Sequence, residues 1–249
     1  MAAFSRASLS HLLFVQFLFA ALAAAAVIWF LLVAWFPVVR ESIRQLPAEG
    51  EISRAQFTWR GDTPVRLGGN RLLSFSINLW HKREASREAQ LAVEFGRNEI
   101  RFHSLLGYTD YPYPDKYLIE VDQSKLEPWW GAWQPWLLVI TAVATVAGLF
   151  ISWAALATGY FIPVWMIAFY SNRNLDMSGA WKLASAALMP GALFLTLTIV
   201  AYGFGLFDLV QLGLGFVFHF LIGWIYCAVS PALLPRDPNV PKQKSNPFA

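Results

Sequence analysis

The chain has 249 residues, of which 57% are hydrophobic and 14% are charged. Soluble proteins carry about 25% charged residues, so the composition excludes an ordinary soluble domain and indicates a membrane protein. The net charge of +3 does not indicate a nucleic-acid binder, because the basic residues are scattered and form no patch. The single cysteine, Cys227, excludes an intramolecular disulfide.

Four long runs of the sequence contain no Lys, Arg, Asp or Glu: 7–39, 128–172, 183–207 and 209–235. About 20 apolar residues cross a hydrocarbon core of ~30 Å, so each run is long enough for one transmembrane helix. The runs therefore predict four spans, near residues 10–36, 135–158, 183–203 and 207–231.

The distribution of charge predicts the orientation of these spans. Residues 38–131 hold 13 Lys/Arg and 13 Asp/Glu and are neutral as a segment. The other basic residues lie at the N-terminus, between the second and third spans, and in the tail: Arg6, Arg173, Lys182, Arg236, Lys242 and Lys244. Short cytoplasmic segments collect Lys and Arg. Both termini are therefore predicted to be cytoplasmic, and 38–131 is predicted to be extracytoplasmic.

The first span belongs to a predicted N-terminal anchor, residues 1–37. Its alanine-rich segment Ala20–Ala26 resembles the end of a signal peptide, but the apolar stretch continues through Phe36, beyond the roughly 7–15 residues of a cleavable signal. An uncleaved anchor is favoured, with cleavage as the alternative. Pro37 is expected to end or kink the helix.

Residues 38–131 predict an antiparallel β-rich domain. Apolar and polar residues alternate at 73–79, which indicates a strand with one buried face. The same alternation on both sides of a Gly-Arg-Asn turn predicts a hairpin at 90–103. Further strands are expected at 117–121 and, more weakly, at 52–59 and 64–67.

Two connections in this domain are also predicted. The charged segment 81–88 is interpreted as a solvated connection, and 108–114 is interpreted as a loop stiffened by prolines.

Residues 132–232 predict a helical membrane domain with three spans. A tryptophan cluster at its start suits the headgroup level of a bilayer, which predicts interfacial anchors at Trp129, Trp130, Trp133 and Trp136. The run 135–170 is long for one crossing. A span to about Ala157 is therefore expected to continue as a kinked or interfacial segment near 159–170, and a five-span chain is the alternative.

The last two spans are expected to form a helical hairpin. The connection at 203–207 is short enough for a tight outer turn, and Pro190-Gly191 predicts a kink in the third span. Residues 233–249 lack apolar periodicity and predict a disordered cytoplasmic tail.

The last span carries the one candidate functional stripe at membrane depth. Its polar and small residues fall within an arc of about 80° on a helical projection: Asp208, Gln211, Gly215, His219 and Tyr226. Ionisable groups inside a membrane are costly and often functional. The alternative is packing, since Asp208 can cap the helix and His219 can hydrogen-bond Thr145 or Thr196.

No other pattern predicts chemistry. His81 and His103 are separate and lack the spacing of metal ligands, so no metal site is expected. No serine lies in a nucleophile-elbow pattern, and Gly203-x-Gly205 and Gly213-x-Gly215 suit helix packing better than phosphate binding. No catalytic residue and no cofactor is predicted.

Three short stretches carry a resemblance to a known family: Gln45–Ile52, Leu175–Lys182 and Ala186–Pro190. With the order of spans, they make the chain similar to an uncharacterised bacterial membrane-protein family, domain of unknown function 1189. The resemblance implies a relation to Yip-type membrane domains, which are associated with membrane trafficking or organisation, and it implies no catalytic residues.

Two functions are compatible with these observations. The first is a non-enzymatic integral membrane protein that acts as a scaffold, assembly or partner-binding component, with a protein partner at its extracytoplasmic domain. The alternative is a small transporter component or intramembrane enzyme that uses the stripe on the last span.

Overall fold

A computed structural model describes residues 2–46, 50–61, 63–80 and 89–236. Within these residues, four helical segments are long and apolar enough to cross a membrane: Leu9–Arg44, Gln123–Tyr170, Met177–Gly203 and Leu209–Leu233. A β-rich region with two sheets lies between the first two segments. The predicted order of four long apolar helices with an inserted β-rich region is confirmed at this level.

The chain divides into two compact units. The first unit contains the described residues up to Ala24, Val143–Leu197, and those from Gly215 onward. The second unit contains Ala25–Ala142 and Thr198–Leu214, and therefore includes both sheets.

The first helical segment has three parts: α1 (Leu9–Phe30), a π-helical turn (Leu31–Trp35) and α2 (Phe36–Arg44). Pro37 was expected to end or kink the helix, but helical structure continues through it to Arg44. Pro37 lies in the first turn of α2, where a backbone N–H would have no partner within the helix. The π-helical turn just before it allows this restart.

The larger sheet of the second unit has five strands, in the order β3 (Val65–Gly69), β4 (Leu73–Ile77), β5 (Leu91–Phe95), β6 (Glu99–Ser104) and β7 (Gly107–Pro112). The smaller sheet has three, in the order β2 (Gln56–Thr58), β1 (Glu51–Ser53) and β8 (Ile119–Glu120). The expected hairpin at 90–103 is confirmed as the antiparallel pair β5–β6.

The prediction of a purely antiparallel domain is wrong for one pair of strands, because β4 and β5 run parallel. Parallel neighbours need a crossover of about a dozen residues or more, and the chain between Ile77 and Leu91 is long enough. The solvated connection expected at 81–88 lies outside the described residues.

The proline-stiffened loop predicted at 108–114 is also wrong, because β7 occupies most of it. Leu105 and Leu106 form the turn between β6 and β7, and Ser104 pairs with Gly107. The strand tolerates Pro112 because it is the last residue of an edge strand, where no ladder hydrogen bond is lost. The strand expected at 117–121 is reduced to β8, which pairs with β1.

Helix α2 packs against the apolar face of the five-stranded sheet. Val38 lies in one buried cluster with Leu73 of β4 and Val93 of β5. A Cβ atom on Gly68 of β3 would lie only 2.8 Å from the hydroxyl oxygen of Ser42. The glycine is therefore required for the close approach of β3 to α2.

Residues 135–170 lie in one continuous helix, α3 (Gln123–Tyr170). Pro163 lies in the interior of this helix, and the kinked or interfacial segment expected near 159–170 stays a prediction. Such prolines are tolerated where neighbouring groups satisfy the freed backbone carbonyl. The helix begins at Gln123, well before residue 132. Asp122 caps its first turn by accepting a hydrogen bond from the backbone N–H of Lys125 at 2.9 Å.

The third helical segment is interrupted within the first unit. It consists of α4 (Met177–Ala187) and α5 (Met189–Gly203), separated at Leu188. The interruption lies two residues before Pro190, close to the expected kink. The last segment contains α6 (Leu209–Val229) and a 3₁₀ helix, Ser230–Leu233. Arg236 forms an isolated β-bridge with Arg173, and the predicted tail from 237 onward lies outside the described residues.

Candidate functional site

The first two residues of the predicted stripe on α6 form a reciprocal cap. The backbone N–H of Gln211 donates to Asp208 Oδ1 at 2.7 Å, and the backbone N–H of Asp208 donates to Gln211 Oε1 at 2.9 Å. This is a capping box, which satisfies two helix-terminal donors. The geometry gives Asp208 and Gln211 a structural role at the start of α6.

The other members of the stripe lie in different surroundings. His219 Nδ1 hydrogen-bonds the carbonyl oxygen of Phe216 one turn earlier, and the imidazole ring lies 3.9 Å from the ring of Phe220. Tyr226 is 41% exposed. The buried residues of α6 are Gly215, which belongs to the stripe, and Gly223 and Cys227, which do not.

The inner face of α6 is in backbone contact with α5. A Cβ atom on Gly191 would collide with the carbonyl oxygen of His219. A Cβ atom on Gly223 would lie 3.0 Å from Leu188 Cδ2, at the interruption just before α5. Small residues at these positions allow the two helices to approach closely, as is common in membrane helix pairs.

The four predicted interfacial tryptophans occupy two different environments. Trp129, Trp133 and Trp136 are exposed, as residues that contact lipid would be. Trp130 is only 8% exposed and packs edge-on against Phe36, with ring centroids 5.0 Å apart. Trp130 is therefore part of the packing between α2 and α3 in the second unit.

A buried polar pair in the first unit was missed by sequence reasoning. Gln16 Nε2 donates to Ser185 Oγ at 2.8 Å and lies 3.4 Å from the Ser185 carbonyl oxygen. The available signal was that Gln16 is the one strongly polar residue between Leu12 and Val39. Its partner lies 169 residues away, so no local pattern could identify it.

Two basic residues of the first unit donate to backbone carbonyl groups. Lys182 Nζ lies 2.9 Å from the carbonyl oxygen of Ala7, and a guanidinium nitrogen of Arg173 lies 2.6 Å from the carbonyl oxygen of Leu234. The N-terminal segment, the connection after α3 and the end of the last helical segment are therefore held together in this unit.

An ion-pair cluster lies on one face of the five-stranded sheet. The Arg101 guanidinium binds both carboxylate oxygens of Asp110, at 2.6 and 3.2 Å, and Glu99 at 2.8 Å. It also lies 5.4 Å from the centre of the Tyr108 ring. The hydrogen bond that Arg101 donates to Asp110 raises the pKa of Arg101 above its ordinary value. This cluster joins β6 to β7 and fixes their register.

The turn and outer strand of the β6–β7 hairpin expose large apolar and aromatic side chains. Leu106 is 77% exposed and Tyr108 is 70% exposed, and Leu105 and Tyr111 are also exposed. β7 is the last strand in the order of the five-stranded sheet. Exposed apolar groups beside a free strand edge are typical of a protein-binding surface. We name Leu105, Leu106, Tyr108 and Tyr111 the hairpin surface.

The part of the chain that the structure describes contains no group of three or more His, Cys, Asp or Glu residues able to hold a metal ion. His103 lies in β6, with its ring 6.0 Å from that of Tyr108. His81, the other histidine considered as a ligand, lies outside the described residues. No protein family, curated protein or solved structure was found to match the chain.

Proposed function

We propose that this protein is a multi-pass integral protein of a bacterial cytoplasmic membrane. Its four spans form a helical bundle that anchors the β-rich domain, residues 38–131, on the extracytoplasmic side. The domain binds a protein partner, so that the chain acts as a scaffold or assembly component. The resemblance to domain of unknown function 1189 is part of the same proposal.

Contacts in the first unit support the four-span topology. Lys182 binds the carbonyl group of Ala7, and Arg173 binds that of Leu234. These contacts join the three segments whose basic residues predict a cytoplasmic location. Segments in direct contact lie on the same side of a membrane. The chain must therefore cross the membrane an even number of times between any two of these segments.

A contact in the second unit supports the same topology. A guanidinium nitrogen of Arg71, between β3 and β4, donates to the carbonyl oxygen of Gly205 at 2.8 Å. Gly205 lies in the turn between α5 and α6. The contact with Arg71 therefore brings this turn next to the β-rich domain. Four alternating crossings place the domain and the turn on one side of the membrane.

The observation that carries the proposed partner binding is the hairpin surface. In a domain surrounded by water, large exposed apolar side chains on an edge hairpin are costly unless a partner covers them. A role based on the His219 stripe is less well supported, because Asp208 and Gln211 cap each other and Tyr226 is 41% exposed.

Site-specific photo-crosslinking in cells tests this function. A photoreactive residue at Leu106 should capture one dominant membrane or periplasmic protein, whereas the same probe at exposed Lys116 should not. Leu106→Asp should abolish co-purification of that protein in mild detergent without reducing accumulation of the chain. Equal capture at both positions, or an unchanged complex in Leu106→Asp, would contradict the proposal.

The topology has its own test. Reporter fusions after Arg236 and within the Leu105-Leu106 turn should report opposite sides of the membrane. A result that places both fusions on one side would overturn the four-span topology.

A further inference from the structure

A cleft of about 450 Å³ lies between α2 and the first turns of α3, within the second unit. One wall of the cleft is formed by residues spaced four positions apart along the first helical segment: Leu32, Phe36, Arg40 and Arg44. This wall changes from apolar to cationic along its length. Gln134 of α3 and Glu41 of α2 complete the polar part of the lining.

We infer that this cleft binds one membrane phospholipid, with the phosphodiester group on Arg40 and Arg44 and an acyl chain along Leu32 and Phe36. This inference is independent of the proposed protein partner, because it concerns a different surface of the second unit. It requires only that the apolar helices lie in a membrane.

The position of Arg40 matches the depth of a headgroup. Its guanidinium nitrogen donates to Gln134 Oε1 at 3.0 Å. Gln134 lies between Trp133 and Trp136, two of the exposed tryptophans of α3. Tryptophan is enriched where the hydrocarbon core meets the headgroups, so Arg40 lies at the level where lipid phosphates are found.

The charge of Arg40 has no acidic partner in the described part of the chain. The guanidinium is bound by the neutral amide oxygen of Gln134. Glu41 accepts a hydrogen bond from Gln45 Nε2 at 3.4 Å. Arg44 pairs with Glu127 at 3.8 Å, and both side chains of this pair are largely exposed, so the pair is weak.

The two arginines are spaced to hold one phosphate group. They lie one helical turn apart on α2, so their side chains project on the same side. Each guanidinium offers a planar fork of donors that matches two phosphate oxygens. Since the Arg44–Glu127 pair is long and exposed, a phosphate can take its place at little cost.

A free phosphate ion and a lipid share this chemistry, but the apolar wall distinguishes them. Leu32 and Phe36 offer no group that an inorganic ion would bind. They extend the cleft along the helical segment that is long and apolar enough to cross the membrane, which is where an acyl chain would lie.

Native mass spectrometry of the full-length protein in mild detergent tests the inference. Titration with phosphatidylglycerol should give one bound lipid, and Arg40→Gln should weaken its binding about tenfold, as expected for one lost charge-assisted contact. Arg44→Gln should weaken it less. Diacylglycerol lacks the phosphate. It should therefore bind the unsubstituted protein no better than it binds the Arg40→Gln variant.

Arg97→Gln is the matched control, because Arg97 is an exposed arginine of the same unit that lines a different cleft. It should leave lipid binding unchanged. Unchanged binding in Arg40→Gln, with unaltered thermal unfolding, would overturn the inference. The inference would also be overturned if the unsubstituted protein retained diacylglycerol as well as it retains phosphatidylglycerol. Displacement of phosphatidylglycerol by equimolar inorganic phosphate would overturn it too.

Discussion

The side-chain amide of Gln16 donates to the hydroxyl group of Ser185, with Nε2 2.8 Å from Oγ. Both residues are almost completely buried, at 2% and 1% exposure. Ser185 lies in the last turn of α4, and Gln16 Nε2 also lies 3.4 Å from its carbonyl oxygen. Gln16 therefore joins α1 to the end of α4 through a buried hydrogen bond.

Replacement of Gln16 by Leu should destabilise the protein by about 0.6–2 kcal/mol, the range measured for hydrogen bonds between membrane helices. The free energy of unfolding is measured by titration with a denaturing detergent. Leu13→Ala, at an exposed position on the same helix, is the control and should cost less. An equal loss in both variants would show that the Gln16 hydrogen bond has no net value.

Gly191→Ala should destabilise the protein by about 1–3 kcal/mol, because the new methyl group meets the carbonyl oxygen of His219 and forces α5 away from α6. Gly213→Ala is the control, since a Cβ atom there meets nothing within 4 Å. The control should be neutral or more stable, because Ala favours helix over Gly. Comparable thermal unfolding temperatures for both variants would contradict the close contact.

Asp208→Ala should cost about 1 kcal/mol of stability, the usual effect of removing an N-cap. Gln211→Ala should cost less. Because the two residues cap each other, the double variant should lose less than the two single losses combined. A double-mutant cycle on unfolding free energies measures this coupling, and strict additivity would show that the reciprocal cap has no energetic effect.

The cap of α3 predicts a dependence on pH. A hydrogen bond from the Ser124 hydroxyl, followed by backbone N–H groups, lowers the pKa of Asp122 below its ordinary value. A lowered pKa in the folded state stabilises the protein above the ordinary pKa of about 3.9, and this contribution is lost as the pH falls through the lowered value.

Asp122→Ala should therefore unfold at a lower temperature than the unsubstituted protein at pH 7. The difference should shrink as the pH falls below about 4, because Asp122 becomes protonated. Asp115→Ala provides a control in the same domain. A difference that is constant from pH 7 to pH 3 would show that the charge of Asp122 does not contribute to the cap.

The sequence pattern within one segment was sufficient to predict some helices and strands. The four apolar helices follow from charge-free runs, and the β5–β6 hairpin follows from alternation around Gly96. Strand direction is not encoded by alternation, so the parallel pairing of β4 with β5 was missed. β7 was missed because Pro112 and the nearby Pro114 outweighed the strand-favouring residues Tyr108, Thr109 and Tyr111.

The surroundings of the candidate site on α6 also depend on contacts with other segments, which the sequence of α6 alone does not show. A helical projection groups Gly215, His219 and Tyr226 on one face of α6, but it does not show which residues a neighbouring helix covers. In the structure Gly215, Gly223 and Cys227 are buried, whereas Tyr226 is exposed. Gln16–Ser185 and Arg40–Gln134 join distant segments, so their pairing depends on tertiary structure.

The contact between Lys182 and the Ala7 carbonyl has a consequence for biosynthesis. The two residues are separated by 175 positions, so the ribosome adds the second partner roughly 9–35 s after the first at 5–20 residues per second. Throughout that interval the N-terminal helix lacks its contact with Lys182. In the proposed four-span topology, the first span therefore remains in the bilayer without its final neighbours, and a nascent chain stalled before α4 would be the natural substrate for an insertion chaperone or a quality-control protease.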